Sequence, residues 1–335
     1  MGRKKGIKIH GLHLPRFQAR TLIHWRMIMK FLITGGAGSV GQALTLSFLE
    51  KGHSVRVLDK KADQLQSLDH KNLEVIKGGI EDLSVVNGAV KGVDVIVHLA
   101  WSFSDDPMEL LISDLKGHIL LLDAAVAEKI SHFFYTSTAV VYGKPIKSPV
   151  TEEDPCWVEE ARKPFYGIAK LTAEKLLSAY FRTKGLPATI FRFWWSYGEE
   201  IGGRHLRDLI KLAQAGEPLK VPDGAGGSFL HLDDLTNAIL LALQEPKTLG
   251  EIFNLSTLFL SWEEVARIII EVTHSSSTLE VIPAEKWKGA PFLADAWELS
   301  TGKAERVFAY RSTLSRSEAQ QRLQEAIVRC DRQMK

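Results

Sequence analysis

Residues 27–59 hold the strongest constraint on what this chain can fold into. A short apolar run, Met27–Thr34 (MIMKFLIT), leads straight into Gly35-Gly36-Ala37-Gly38-Ser39-Val40-Gly41. Gln42–Lys51 follows with Ala43, Leu44, Leu46, Phe48 and Leu49 at helical spacing, and Gly52 stops it. Val55–Leu58 is a second apolar run, ending at Asp59. Strand, glycine turn, helix, strand and acid in that order form the opening unit of a Rossmann-type, doubly wound parallel sheet. Gly35, Gly38 and Gly41 recur every third residue. They let the chain turn tightly and bring the backbone around Ser39 and Val40 close to a pyrophosphate at the helix N-terminus. Asp59 stands 18 residues after Gly41. A carboxylate there accepts both hydroxyls of an adenosine ribose and repels a 2′-phosphate, which favours NAD over NADP. Lys60 and Lys61 pull the other way.

The alternation continues. Leu73–Lys77, Val93–Leu99 and His132–Thr136 read as strands, and Met108–Glu128 as a long helix. Strands alternating with helices imply a parallel α/β sheet with right-handed crossovers, with ligands at the carboxyl ends of the strands. After Tyr197 the alternation loosens. His205–Ala215 reads as a helix and Pro222–Ser228, with three glycines, as a mobile loop. Ser261-Trp262-Glu263-Glu264 is a capping box opening a helix to Val272, and Ser315–Arg329 is a terminal helix.

Charge needs one correction before it is used. The 335 residues carry 42 Lys+Arg against 40 Asp+Glu. Seven of those bases fall in residues 1–26, which have no acid; the remainder carries 35 against 40, a formal −5. We expect 1–26 to be a basic extension outside the fold, with a targeting segment or an arm for an anionic surface as the other readings. The rest has no general pull toward nucleic acid. No apolar run approaches the roughly 18 residues of a membrane span. Cys156 and Cys330 make no disulfide framework and match no zinc motif, so a reducing, cytoplasmic setting and no metal are expected.

Tyr166 and Lys170 open a second long helix through Tyr180. Positions i and i+4 share a helix face, so phenol and ammonium point the same way. An unperturbed phenol titrates near about 10. A neighbouring ammonium and a cationic nicotinamide would lower that and make Tyr166 an acid/base group near neutrality. Lys170 can also hydrogen-bond the nicotinamide ribose.

With these pieces in place, the chain resembles the extended short-chain dehydrogenase/reductase superfamily, in its NAD-dependent epimerase/dehydratase group that includes UDP-glucose 4-epimerase. The resemblance rests on Thr34–Gly41, Val97-His98-Leu99-Ala100, Tyr135–Gly143, Tyr166…Lys170, Arg192…Tyr197-Gly198, Phe229–Asp234 and Gly250–Leu255. It implies that Thr138 is a third catalytic residue, hydrogen-bonding the substrate oxygen. It implies that Ile80, Leu99, Ala100, Thr136 and Trp194 join the cofactor cleft. His98, His231 and Asp233 match structural positions. It also implies a smaller C-terminal α+β substrate domain, with 27–190 plus 229–245 as the NAD-binding domain and 191–228 plus 246–330 as the substrate-binding domain, and a homodimer built on helices 108–128 and 166–182. The implied chemistry is removal of a hydroxyl proton by Tyr166 with hydride transfer to NAD+, giving a keto intermediate.

Departures narrow the reaction. The Asp-Glu pair that family dehydratases carry after the catalytic Thr is Ala139-Val140, which cannot transfer protons; the decarboxylating branch also keeps a Glu there. The family Asn that reaches the substrate diphosphate is Trp195, its diphosphate-binding Arg is Gly227 and its adenine-contacting Asp is Gly79. Arg204, Arg207, Lys211 or Lys220 can stand in for a lost cation. Trp101, Trp194 and Trp195 can form an aromatic wall for a sugar or an apolar substrate. The expected function is therefore an NAD-dependent sugar-nucleotide epimerase of the 4-epimerase type. The alternatives are a dehydrogenase or ketoreductase of a sugar or other secondary alcohol, and a non-catalytic dinucleotide sensor.

Overall fold

The computed structural model describes residues 28–65, 68–201 and 203–334. Residues 1–26, read above as an extension, lie outside them, as does Met27. Six strands come first: β1 (Lys30–Thr34), β2 (Ser54–Asp59), β3 (Leu73–Lys77), β4 (Val95–His98), β5 (His132–Thr138) and β6 (Ala188–Phe193). Between them lie α1 (Ser39–Glu50), α2 (Leu83–Val90), α3 (Pro107–Glu109), α4 (Lys116–Ala127) and α5 (Pro164–Lys184). A π-helical segment, Leu110–Leu115, joins α3 to α4 without a break. The later elements are β7 (Trp195–Tyr197), α6 (Arg204–Gln214), β8 (Leu219–Pro222), β9 (Gly226–His231), α7 (Leu232–Ala242) and β10 (Ile252–Asn254). They are followed by β11 (Leu258–Ser261), α8 (Trp262–Thr273), β12 (Leu279–Ile282), β13 (Ala296–Trp297), α9 (Gly302–Phe308) and α10 (Arg316–Met334).

The large sheet has the order β10-β6-β5-β4-β1-β2-β3, and every pairing in it is parallel. Side chains alternate across a strand, so each strand feeds two cores. Phe31, Ile33, Val95, Val97 and Phe134 pack with α1, α7 and α9 on one face. Leu32, Ile96, Phe133 and Tyr135 pack with α2, α4 and α5 on the other. A parallel sheet covered on both faces explains why its strands are apolar runs instead of alternating ones. The strand order reverses between β1 and β4, and ligands of such sheets bind there, beyond the carboxyl ends.

The second region has its own core, formed by α6, α8, α10 and the sheet order β11-β9-β13, with β7 on β9. The capping box read from sequence is present: Ser261 Oγ accepts from Glu264 N at 3.1 Å and Glu264 Oε2 accepts from Ser261 N at 2.8 Å. His231 caps α7 by accepting from Asp233 N at 3.2 Å. No helix among the described residues is long and apolar enough to cross a membrane.

One expectation changes. Gly226–His231 is a buried strand, so the second half of Pro222–Ser228 is no mobile loop. A Cβ on Gly226 would lie 2.3 Å from Leu260 O, so this glycine serves close strand approach, not mobility. β10 pairs with β6, and Ala304, Phe308 and Tyr310 pack into the core beneath the large sheet. Both lie in the stretch expected to belong wholly to the smaller domain.

Candidate active site

At the carboxyl edge of the large sheet a cleft of about 1390 Å³ separates it from the second region. The glycine turn forms one end. Gly35 has φ +72°, and a Cβ on it would lie 2.8 Å from Ala100 N and Cα. Gly41 is packed harder still: its Cβ would stand 2.4 Å from Gly35 O. Gly38, the residue before α1, faces the cleft, with nothing nearer to its Cβ position than 3.4 Å. The first turn of α1 carries no acid, so the positive end of the helix dipole is unopposed there. An open cradle of amides with glycine faces is what a pyrophosphate requires, and the residues fit a dinucleotide.

Asp59 closes the turn from the next strand. Its Oδ2 accepts from Ala37 N at 3.0 Å and its Oδ1 from Lys61 N at 2.7 Å. The carboxylate thus props the glycine turn and still lines the cleft. Lys60 is drawn aside to Glu81, at 2.7 Å. Ile80, Leu99 and Ala100 complete this end.

The chemistry-bearing residues meet in the middle. Thr138 ends β5, and its Oγ accepts from Val140 N at 3.2 Å, which leaves its O–H free to donate into the cleft. α5 presents Tyr166, Lys170 and Glu174 on its buried face. Lys170 Nζ donates to Thr136 O at 3.0 Å and lies 4.4 Å over the Trp101 ring and 4.8 Å over that of Tyr135. Its distance to the Tyr166 ring centre is 6.0 Å.

The electrostatics differ from the expectation. Burial holds the Tyr166 phenol well above its ordinary value; the Asp114 charge adds to this and Arg162 opposes it. Burial brings Lys170 down to about 7, against the pull of Asp114 and Glu174. The i,i+4 pair shares a face as the spacing predicts, but desolvation outweighs the mutual effect of the pair. Left to these protein groups, Tyr166 stays a proton donor at neutral pH.

The far end is aromatic and basic. Trp195 stacks on Trp194, with ring centres 4.6 Å apart, and on Phe229 at 5.8 Å; Trp262 meets it edge-on at 4.9 Å. Trp195 is therefore mostly buried, with only part of its ring reaching the cleft. Trp101 lines the cleft too, but one face is occupied by Lys170. These rings are a wall with committed faces, not a bare stacking platform. Arg204, Arg207 and Lys211, on one face of α6, line the mouth. Arg204 is 93% exposed and lies 3.5 Å from Asp208.

The sequence matches the NAD dependent epimerase/dehydratase family over residues 31–256. The chain belongs to this family. It is 29% identical over 292 residues to a UDP-glucose 4-epimerase of Corynebacterium glutamicum, covering 80% of this chain and 88% of that one. It is 32% identical over 278 residues to a UDP-N-acetyl-alpha-D-glucosaminuronate decarboxylase of Bacillus cytotoxicus, covering 78% and 85%. The dTDP-glucose 4,6-dehydratase DesIV of Streptomyces venezuelae, solved with NAD bound, superimposes with a TM-score of 0.74 at 26% identity, covering 91% of this chain and 97% of that one.

For this epimerase/dehydratase enzyme, the cleft is lined by Gly35, Gly38, Ser39, Val40, Gly41, Asp59, Ile80, Leu99, Ala100, Trp101, Thr136, Thr138, Tyr166, Lys170, Trp194, Trp195 and Arg204. Lys220, named in the sequence as a stand-in cation, does not line it and lies 3.2 Å from Glu280 instead. Two acids escaped the sequence reading. Asp114, in the π-helical segment, accepts from Ser102 N at 3.0 and 3.1 Å and from Ser102 Oγ at 2.6 Å. Burial raises its carboxyl above the usual range, against those hydrogen bonds. Glu174 is four residues past Lys170, and that spacing was the available signal.

Proposed function

We propose that this enzyme is an NAD-dependent sugar-nucleotide epimerase of the 4-epimerase type. One observation carries the reading: Thr138, Tyr166 and Lys170 meet in the cleft while Ala139 and Val140, beside Thr138, offer no proton-transferring group. A binding module without catalysis has no use for that trio. The chemistry a nicotinamide dinucleotide supplies when bound is a reversible hydride acceptor and, when oxidised, a positive charge beside the phenol. That charge would favour ionisation of Tyr166 against its burial; as phenolate, Tyr166 takes the proton of a sugar hydroxyl, and Thr138 O–H donates to the same oxygen as its charge develops. Lys170 stays fixed by Thr136 O and orients the nucleoside side of the cleft. The ketone turns over inside the site before Tyr166 returns the proton, and the opposite configuration results. Asp59 and the diversion of Lys60 to Glu81 support NAD over NADP. Arg204, Arg207 and Lys211 suit the diphosphate of a nucleotide sugar, which is the substrate assigned to the relative from Corynebacterium by its name.

Exposed Met108, Leu111 and Ile112 lie just before α4, Ile119 lies in α4, and Phe165 and Ile168 lie in α5; together they support a homodimer through these helices. Free Cys156 and Cys330 suit the reducing cytoplasm.

The deciding experiment offers UDP-, GDP- and dTDP-sugars to the purified protein and follows both sugar configuration and NADH. Interconversion with no net NADH is expected, and Tyr166→Phe lowers the rate at least about a hundredfold. Stoichiometric NADH release would instead establish the dehydrogenase reading, which the replacement of diphosphate-binding positions by Trp195 and Gly227 favours.

A further inference from the structure

We propose that Arg162 receives a carboxylate carried by the substrate, which makes the sugar a uronic acid. This rests on the epimerase reading above and names its substrate class. Arg162 lies in the approach to α5, four residues before Tyr166, and both line the cleft. Burial raises the phenol's pKa and lowers the guanidinium's, and each group's charge opposes that shift in the other. The two are therefore close, and Arg162 serves the sugar end of the cleft. Arg204, Arg207 and Lys211, on α6, line its mouth. In a hexuronic acid, the carboxylate is borne by the ring carbon next to the one whose hydroxyl meets Tyr166. The phenol and the receptor of the carboxylate must then be neighbours, as these two residues are.

The guanidinium is held in place yet accessible. It lies 4.4 Å over the Phe292 ring. That ring's backbone is itself fixed: Trp297 Nε1 donates to Phe292 O at 3.1 Å, and Trp262 Nε1 donates to Leu293 O at 2.9 Å. Phe292 does not line the cleft, so it backs the arginine from the protein side. Stacking commits one face of a guanidinium and leaves the N–H donors around its edge, in the fork that matches a carboxylate. Arg162 is exposed, and among the described residues its side chain has no hydrogen bond or ion pair. Lys163 beside it is committed to Phe103, donating to its O at 2.8 Å and lying 4.4 Å over its ring. Asp114, the other charge acting on Tyr166, is tied to Ser102 and couples to Lys170 and Glu109, not to Arg162. No acid of the cleft therefore occupies this cation. A neutral hydroxymethyl group at that position would leave the fork half used, whereas a carboxylate takes both prongs with charge assistance.

The test is titration calorimetry of the NAD-loaded protein with UDP-glucuronate and with UDP-glucose, which differ only at the carbon that carries the acid. Wild type is expected to bind UDP-glucuronate about ten- to a hundredfold more tightly. Arg162→Gln, which keeps a donor but not the charge, is expected to bring the two within about threefold, with circular dichroism unchanged. Equal binding of the two by wild type, or undiminished discrimination by Arg162→Gln, overturns the assignment. So does an equal loss of both sugars and of UDP itself in Arg162→Gln, which would place the arginine at the diphosphate. Selective binding of UDP-glucuronate with no turnover of either sugar supports the carboxylate site and overturns the epimerase reading alone. Failure of wild type to bind either sugar nucleotide overturns both.

Discussion

Arg192 on β6 and Glu174 on α5 form a two-pronged ion pair sealed from solvent. Nε meets Oε1 at 2.9 Å and Nη2 meets Oε2 at 2.5 Å, with side-chain exposures of 2% and 0%. The Arg192 guanidinium also lies 4.8 Å over the Tyr142 ring. The pair clamps the helix carrying Tyr166 and Lys170 to the sheet one turn below Lys170. Removing one member leaves a buried charge unpaired. Glu174→Ala is therefore expected to cost about 3–5 kcal/mol in urea denaturation. A loss below about 1 kcal/mol would mean the pair contributes no clamp.

Lys170 links stability to pH with a definite sign. Its folded pKa is brought to about 7, whereas the unfolded value is near about 10.4. Between these limits the unfolded chain holds a proton that the folded chain has shed, so this residue's contribution to stability rises with pH. Below about 7 folding buries the ammonium at full cost. Lys170→Met should gain in melting temperature relative to wild type at pH 6, and that gain should shrink by pH 9. Equal differences at both pH values would show that the ammonium is not desolvated.

The glycines of the turn should separate by role. Gly41→Ala forces a Cβ to 2.4 Å from Gly35 O and is expected to destabilise the fold by about 1–3 kcal/mol as well as abolish dinucleotide binding. Gly38→Ala meets only an ordinary contact at 3.4 Å, so it should fold normally. It nonetheless loses at least about tenfold in dinucleotide affinity, because its methyl enters the cradle. Calorimetric titration combined with thermal melts distinguishes the two.

The proposed homodimer is tested by charge. Leu111→Glu together with Ile112→Glu alters two exposed side chains of the π-helical segment. Light scattering on the eluting peak should change from dimer to monomer mass, with circular dichroism unaltered. A wild-type protein of monomer mass at micromolar concentration would remove the interface outright.

Local chemistry was legible; long-range packing was not. The turn from Gly35 to Gly41, Asp59, and the Tyr166–Lys170 pair carry their meaning in fixed spacings, and all reach the cleft. The capping box at Ser261 is equally local. The Arg192–Glu174 pair joins residues 18 apart on different elements, with no pattern to announce it. β10 is three residues long and gains its place only by pairing with β6. Gly226 reads as flexible in sequence because the same absence of a side chain serves both a loop and a crowded strand. Tyr166 shows the limit for electrostatics: spacing places the ammonium near the phenol, but the degree of burial that governs its proton is a property of the whole fold.

The core beneath the large sheet runs in sequence from Phe31 to Tyr310. Its first strand is made some 270 residues before Ala304, Phe308 and Tyr310, which close that face. Domains generally fold as units while the chain is being made. Here the dinucleotide-binding half must wait, with one face of its sheet incompletely covered, until residue 310 has left the ribosome. The two halves consequently mature together, and a chain cut short before residue 310 would expose the apolar underside of its own sheet.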